Sequence, residues 1–203
     1  MTSAPSWYTR DVSRETLEGL TEYVALIEKW TRKINLIAPS TIPDLEHRHI
    51  WDSAQIYHGQ SGTWADLGSG GGLPGIVVAI LRKGEGAQDE TVLIESDQRK
   101  ATFLRTCVRT LGLNARVVAD RIETAAPEQA QVVSARALIN LSELLPLAQR
   151  HLAPGGTCVL LKGAKWQEEI AQAEQAWRFS YSATPSKTNP EAAVLEIRDI
   201  ERV

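Results

Sequence analysis

Apolar residues at Leu17, Leu20, Val24, Ile27 and Ile34 recur at intervals of three, four and seven, with charged residues between them. That spacing predicts an amphipathic helix over Ser13 to Ile34, with Ser13 as its N-cap ahead of acidic Glu15. Asn35-Leu36-Ile37-Ala38-Pro39 reads as a loop. Proline suits a first helical turn, so a second helix is predicted after Pro43, running through Leu45, His49, Ile50 and Ala54 towards Gly59.

Beyond Gly62 the pattern changes to short apolar runs separated by helical segments. Strands are predicted at Thr63 to Leu67, Thr91 to Glu95, Ala115 to Ala119, Val132 to Ser134 and Thr157 to Lys162. Helices are predicted at Leu73 to Leu81, Gln98 to Leu111, Leu141 to Leu152 and Trp166 to Trp177. Strands alternating with helices require crossover connections, hence a mainly parallel α/β sheet with helices on both faces. Arg178 to Ser182 and Ala193 to Ile200 read as two strands closing on each other. The expected organisation is a helical extension over residues 1–62, then an α/β unit over 63–203.

The chain has 203 residues, 43% hydrophobic and 23% charged, which is globular composition and excludes collagen-like or disordered chains. Its two cysteines, Cys107 and Cys158, are too few for a disulfide framework or a zinc cluster and point to a reducing, cytoplasmic setting. Cys107 falls in a predicted helix and Cys158 in a predicted strand, where both read as packing residues. Leu73 to Leu81, the longest apolar run, is too short to span a bilayer, and Met1 to Arg10 lacks a basic-then-apolar leader pattern. A net charge of -3 argues against a generally basic nucleic-acid binder. Charge is nevertheless uneven: Arg99, Lys100, Arg105, Arg109, Arg116 and Arg121 lie between Asp97 and Arg121 against only Asp97 and Asp120. Such a stretch can track phosphates, or it can be a solvated helix face.

The densest chemical signal is Asp66-Leu67-Gly68-Ser69-Gly70-Gly71-Gly72-Leu73-Pro74-Gly75, between the first strand and the first crossover helix. Glycines there let the backbone turn sharply and approach a ligand beyond the strand ends. Gly70, Gly72 and Gly75 fit the dinucleotide fingerprint, but Asp66 and Gly68 come first. An acid at that place can meet a cationic amino group and would repel a pyrophosphate, which favours S-adenosylmethionine. Glu95 ends the second strand, where a carboxylate can accept ribose hydroxyls of either ligand. After the third strand, Arg121-Ile122-Glu123 offers backbone amides and an apolar side chain for an adenine.

These residues resemble the small-subunit ribosomal RNA guanine-N7 methyltransferases, the RsmG or glucose-inhibited division protein B family. The marks are Asn35-Leu36, Arg48-His49-Ile50-Trp51-Asp52-Ser53, the glycine loop, Arg99 to Leu104, Arg121-Ile122-Glu123, Ser134-Ala135-Arg136-Ala137 and Leu161-Lys162-Gly163. The resemblance implies a Rossmann-like S-adenosylmethionine-dependent methyltransferase fold, with a mainly parallel sheet and an N-terminal helical extension. It also implies methyl transfer from S-adenosylmethionine to N7 of a guanine in 16S rRNA, in the decoding-region loop at RNA position 527. Cofactor contacts then fall on Gly68, Gly70, Leu73, Ile122, Glu123 and Arg136, with Glu95 as ribose ligand. Gly71 and the spacing of Ser134 from Arg136 depart from the usual family pattern.

Guanine N7 carries a lone pair and no proton, so no general base is required and rate must come from orientation and electrostatics. Arg136 and Lys162, at the ends of the fourth and fifth strands, are candidates for the guanine O6 or a phosphate, and Arg136 for substrate positioning. His49 and Asp52 share a helix face too sparse in ligands for a metal. They are expected to hold their helix over the cofactor mouth with Arg48 facing RNA, while Arg105 and Arg109 extend the basic stretch. The expected partner is 16S rRNA in the small ribosomal subunit or an assembly intermediate, met by a monomer in the cytoplasm, with neither membrane nor metal. An NAD(P)-dependent Rossmann oxidoreductase stays open on the glycines and Glu95, although no hydride-site base is evident. A non-catalytic RNA-binding relative and a small-molecule methyltransferase also stay open.

Overall fold

The computed structural model describes residues 3–203, so the first two residues of the Met1–Arg10 stretch lie outside it. Helix α1 (Arg14–Ile34) begins where the hydrophobic period begins, and the Ser13 side chain accepts a hydrogen bond from the Thr16 amide. It ends at Asn35, whose left-handed backbone returns its amide to the Thr31 carbonyl.

The second predicted helix does not form as one piece. A 3-10 turn (Pro39–Asp44) passes into a π-helical turn (Glu46–Trp51) and a last α-turn, α2 (Asp52–Ala54). Pro39 opens the 3-10 turn and Pro43 lies inside it. Buried Leu45, Ile50, Trp51 and Ala54 are met by tertiary packing instead.

The remainder alternates as expected, through β1 (Trp64–Leu67), α3 (Gly75–Gly84), β2 (Thr91–Ile94), α4 (Gln98–Leu111) and β3 (Ala115–Val118). It continues through β4 (Ala130–Arg136), α5 (Leu141–His151), β5 (Leu152–Lys162), α6 (Trp166–Ala173), β6 (Trp177–Pro185) and β7 (Ala193–Arg202). The strands form one seven-stranded sheet in the order β3-β2-β1-β4-β5-β7-β6. Strands β1 to β5 pair in parallel, while β7 is antiparallel to both β5 and β6. Four strands exceed their predicted lengths, β7 by running on to Arg202. β4 starts at Ala130, two residues early and across a register shift, β5 starts at Leu152, and β6 runs on to Pro185. α6 stops at Ala173, four residues short of its predicted end.

Each sheet face has its own apolar layer. One joins Leu20, Tyr23 and Ile27 of α1 to Ile76, Val77 and Ile80 of α3 and Phe103 and Cys107 of α4. The other joins Leu141, Leu144 and Leu145 of α5 and Ile170 of α6 to Leu67, Val133 and Leu160. Residues Ile76 to Leu81 of α3 are all buried, because α1 covers the side of α3 that the sheet leaves open. The parallel strands all end at one edge of the sheet, and the glycine loop, the β4–α5 connection and the β5–α6 connection gather there.

Candidate functional site

The glycine loop is held from beneath. Asp66, at the end of β1, is fully buried: the Ser134 hydroxyl donates to its Oδ1 at 2.7 Å and the Gly75 amide to its Oδ2 at 3.2 Å. Burial raises its carboxyl to about 6 against the stabilising hydrogen bonds. The expectation that Asp66 meets a ligand's ammonium is therefore corrected. Its acceptors face the loop's own backbone and Ser134, and it lines neither of the cavities described below. Gly68 has φ +64, a backbone conformation that favours glycine, and a Cβ there would come within 2.5 Å of a Leu138 methyl. From above, the fully buried Tyr23 of α1 donates its hydroxyl to the Gly71 carbonyl, a contact that sequence spacing did not disclose.

Over this loop opens a cleft of about 810 Å³. Leu36, Leu73, Ile94, Ile122, Leu138 and Leu147 supply its apolar surface, and Gly68, Gly70, Glu95, Glu123 and Arg136 its polar surface. Glu95 accepts the Gly70 amide at Oε2 and the Asp97 amide at Oε1, both at 2.8 Å. Two bonds leave an ionised carboxylate with lone pairs to spare, so Glu95 is fixed in place and still able to accept ribose hydroxyls. Ile122 is positioned through its carbonyl, which is 2.9 Å from Nε2 of buried His151, and Glu123 pairs with Arg121 at 3.1 Å. Apolar walls, a fixed carboxylate at a strand end and a backbone cradle without side chains fit a nucleoside that bears no phosphate. Gly68, Gly70, Leu73, Glu95, Ile122, Glu123 and Arg136, all expected at the cofactor, line this one cleft.

A second cavity of about 1050 Å³ lies beside the first, and Arg136, Ala137, Leu138 and Ile139 line both. Ala137 in this partition has φ +49, an uncommon conformation for a residue with a Cβ. Arg136 is clamped. Its guanidinium donates to Asp52 Oδ2 at 3.0 Å, to the Arg48 carbonyl at 3.4 Å and to His49 Nδ1 at 2.7 Å. Arginine is always a donor, so Nδ1 must be the acceptor and the His49 proton is assigned to Nε2. Nε2–H then donates to Thr41 Oγ1 at 2.7 Å, whose hydroxyl donates to the Ala38 carbonyl at 2.7 Å. Burial and the adjacent Arg136 charge lower His49 to about 4, so it is neutral at neutral pH. Asp52 also accepts Thr188 Oγ1 at 2.5 Å and Gln55 Nε2 at 2.9 Å, which ties the β6–β7 turn to the same clamp. His49 and Asp52 do act from a common face, and what they hold is Arg136.

Two expectations need correction. Lys162 is buried and spends its ammonium on the Ile139 carbonyl at 2.8 Å and on Glu169 at 2.7 Å, so it locks the β4–α5 connection to α6 rather than presenting a free cation. The basic stretch is also not a continuous patch. Arg99 pairs with Asp97, Arg121 with Glu123, and Arg116 with both Glu90 and Glu128, and the three glutamates lie outside the stretch. Arg105 and Arg109 are exposed, but α4 runs back from the strand ends, and at about 1.5 Å per residue Arg109 lies roughly 13 Å along the axis from cleft-lining Lys100. Burial pushes both cysteine thiols up to about 12, which leaves no nucleophilic thiolate. Among the described residues no group of side chains could hold a metal, and no helix is long and apolar enough to cross a membrane.

Two solved structures with this architecture share little sequence with the chain. Cofactor-bound Rv0187 from MTB superposes with a TM-score of 0.61 at 16% identity over 89% of each chain. M. jannaschii TYW2 in complex with AdoMet does so with a TM-score of 0.54 at 14% identity over 76% of each. The protein named ribosomal RNA small subunit methyltransferase G from a strain of Cereibacter sphaeroides is 50% identical over 196 residues, 95% of either chain. Its namesake in Ruegeria pomeroyi is 44% identical over 201 residues, 98% of either chain. These matches give no support to the oxidoreductase alternative, and the cofactor they support for the chain is S-adenosylmethionine. With residues 16–194 matching the model of rRNA small subunit methyltransferase G, the chain belongs to that family of S-adenosylmethionine-dependent enzymes.

Proposed function

We propose that this enzyme methylates N7 of a guanine in 16S rRNA, the decoding-loop guanine of the family resemblance. The observation that carries the reading is the junction of two cavities at one clamped arginine, which suits one cleft to the methyl donor and the other to a base. Bound in the first cleft, S-adenosylmethionine supplies an electrophilic methyl on a sulfonium. Glu95 would accept the ribose hydroxyls, and Ile122 would pack on the adenine opposite the apolar wall.

N7 attacks through an existing lone pair, and the site is built accordingly. His49, the histidine that contacts Arg136, is neutral, and its Nδ1 is already occupied by that arginine, so it is not available as a base. Arg136 retains its Nε–H and one terminal N–H beyond its three bonds, donors that suit guanine O6, the acceptor next to N7. Its clamp fixes those donors before the base arrives, which is how a site without acid–base chemistry gains rate. The product guanine is cationic, and Asp44 and Glu168 in the second cavity suit that charge.

The enzyme acts as a monomer in the cytoplasm, on small subunits still in assembly, where the target base can be splayed out of folded RNA. Deleting the gene and mapping 7-methylguanine in 16S rRNA by borohydride–aniline cleavage tests the reading. One cleavage site should disappear, and an unchanged pattern would refute it.

A further inference from the structure

The rRNA reading leaves open which face meets the RNA, and the charges that remain after folding bear on that. With the first cleft given to the cofactor, the base has to arrive through the second cavity. Three exposed cations from three separate segments belong to its lining or stand next to it in the chain. Arg48 comes from the π-helical turn, Lys165 lies just before α6, and Lys187 sits between cavity-lining Ser186 and Thr188 of the β6–β7 turn. None of the three makes an ion pair within the described residues, unlike Arg99, Arg116 and Arg121.

Two of their backbones, at Arg48 and Lys187, are tied to the clamp that fixes Arg136, and the third is set by α6. The Arg48 carbonyl accepts from Arg136, and the Lys187 amide donates to Gln55 Oε1 at 2.8 Å. Thr188 is tied to Asp52, the Arg136 partner. Lys165 caps a helix that Glu169 binds to Lys162 at the end of β5. Each cation is therefore an exposed side chain on a positioned backbone, the arrangement that suits contact with phosphates of a folded RNA.

We infer that RNA docks across the mouth of the second cavity, with its phosphates on Arg48, Lys165 and Lys187 and not along α4. The inference rests on the rRNA substrate proposed above. Phosphate neutralisation releases counterions, so each lost contact should weaken binding and flatten its salt dependence by about one in the log–log slope.

The test compares Arg48→Glu/Lys165→Glu/Lys187→Glu with Arg105→Glu/Arg109→Glu, measuring the Kd for 16S rRNA across a salt series. S-adenosylhomocysteine titration checks that each variant retains the cofactor site. The triple variant should bind RNA at least tenfold more weakly with a shallower salt slope, and the α4 variant should match wild type. Wild-type RNA affinity in the triple variant, or an equal loss in the α4 variant, would overturn the inference. If the triple variant does not fold, Lys165→Glu and Lys187→Glu are measured singly, with at least a threefold loss expected from each. Loss in neither would likewise overturn it. Wild type forming no 7-methylguanine would instead count against the substrate reading, so the two failures are distinct.

Discussion

Replacing Asp52 by asparagine removes one charge from the Arg136 clamp and, with the amide oxygen kept towards Thr188, puts an NH2 where Oδ2 accepted from Arg136. Asparagine keeps an oxygen to accept from Thr188 and nearly the same shape. The pair is 3.0 Å apart, and the two side chains are 16% and 17% exposed, so solvent screens it only in part. At an effective dielectric near 20, Coulomb's law gives about 5 kcal/mol for that separation, an upper bound before desolvation is subtracted. Hydrogen bonds to charged groups contribute roughly 1.5–3 kcal/mol net, and a coupling of that size is expected here. A double-mutant cycle with Asp52→Asn and Arg136→Gln, read by urea denaturation, isolates it. Turnover of Asp52→Asn should also fall by about tenfold to a hundredfold, since about 1.4 kcal/mol of misplacement at the reacting base is tenfold in rate. Free energies that add within about 0.5 kcal/mol, or turnover at the wild-type value, would refute the claim that Asp52 positions Arg136.

Tyr23→Phe removes the donor that α1 gives to the Gly71 carbonyl, so S-adenosylhomocysteine affinity should fall several-fold and stability by about 1–2 kcal/mol, by calorimetry and urea denaturation. Gly68→Ala forces a Cβ into Leu138 at a left-handed φ, and should cost about 1–3 kcal/mol and most of the cofactor affinity in the same assays. His49 titrates near 4 in the folded enzyme and near 6.5 unfolded, so the unfolded chain takes up the proton first. Its contribution is therefore complete above about pH 6.5 and is lost as pH falls towards 4, and His49→Gln should flatten that part of a stability–pH curve. Asp66, raised to about 6, has the opposite sign: its favourable contribution is present below about pH 4 and lost as pH rises through 6. The difference curve between wild type and His49→Gln separates the two.

Features fixed by neighbours in the chain were legible in the sequence. The alternation of β1 to β5 with α3 to α6 and the cradle from Gly68 to Gly75 depend on local periodicity and turn chemistry, and both follow the reading. The segment after Pro43 was misread as one helix, because its apolar pattern is helical while its backbone is set by packing of Ile50 and Trp51. Long-range pairing was the other blind spot. Tyr23 meets Gly71 across 48 residues and Thr188 meets Asp52 across 136, and nothing in residue spacing announces either contact. The same limit misled the charge argument, since Arg116 looked free beside its sequence neighbours but folds against Glu90 and Glu128. Lys162 likewise read as an available cation until Glu169 and Ile139 were brought to it.

The central claim is the atom that receives the methyl group. Purified enzyme, methyl-labelled S-adenosylmethionine and small-subunit particles from a strain lacking the gene would be combined, and the digested 16S rRNA analysed by nucleoside mass spectrometry. The account predicts label in 7-methylguanosine at one site, lost in Arg136→Gln. Label on a guanine N1 or N2, on a ribose oxygen or on another base, or no transfer at all, would contradict it.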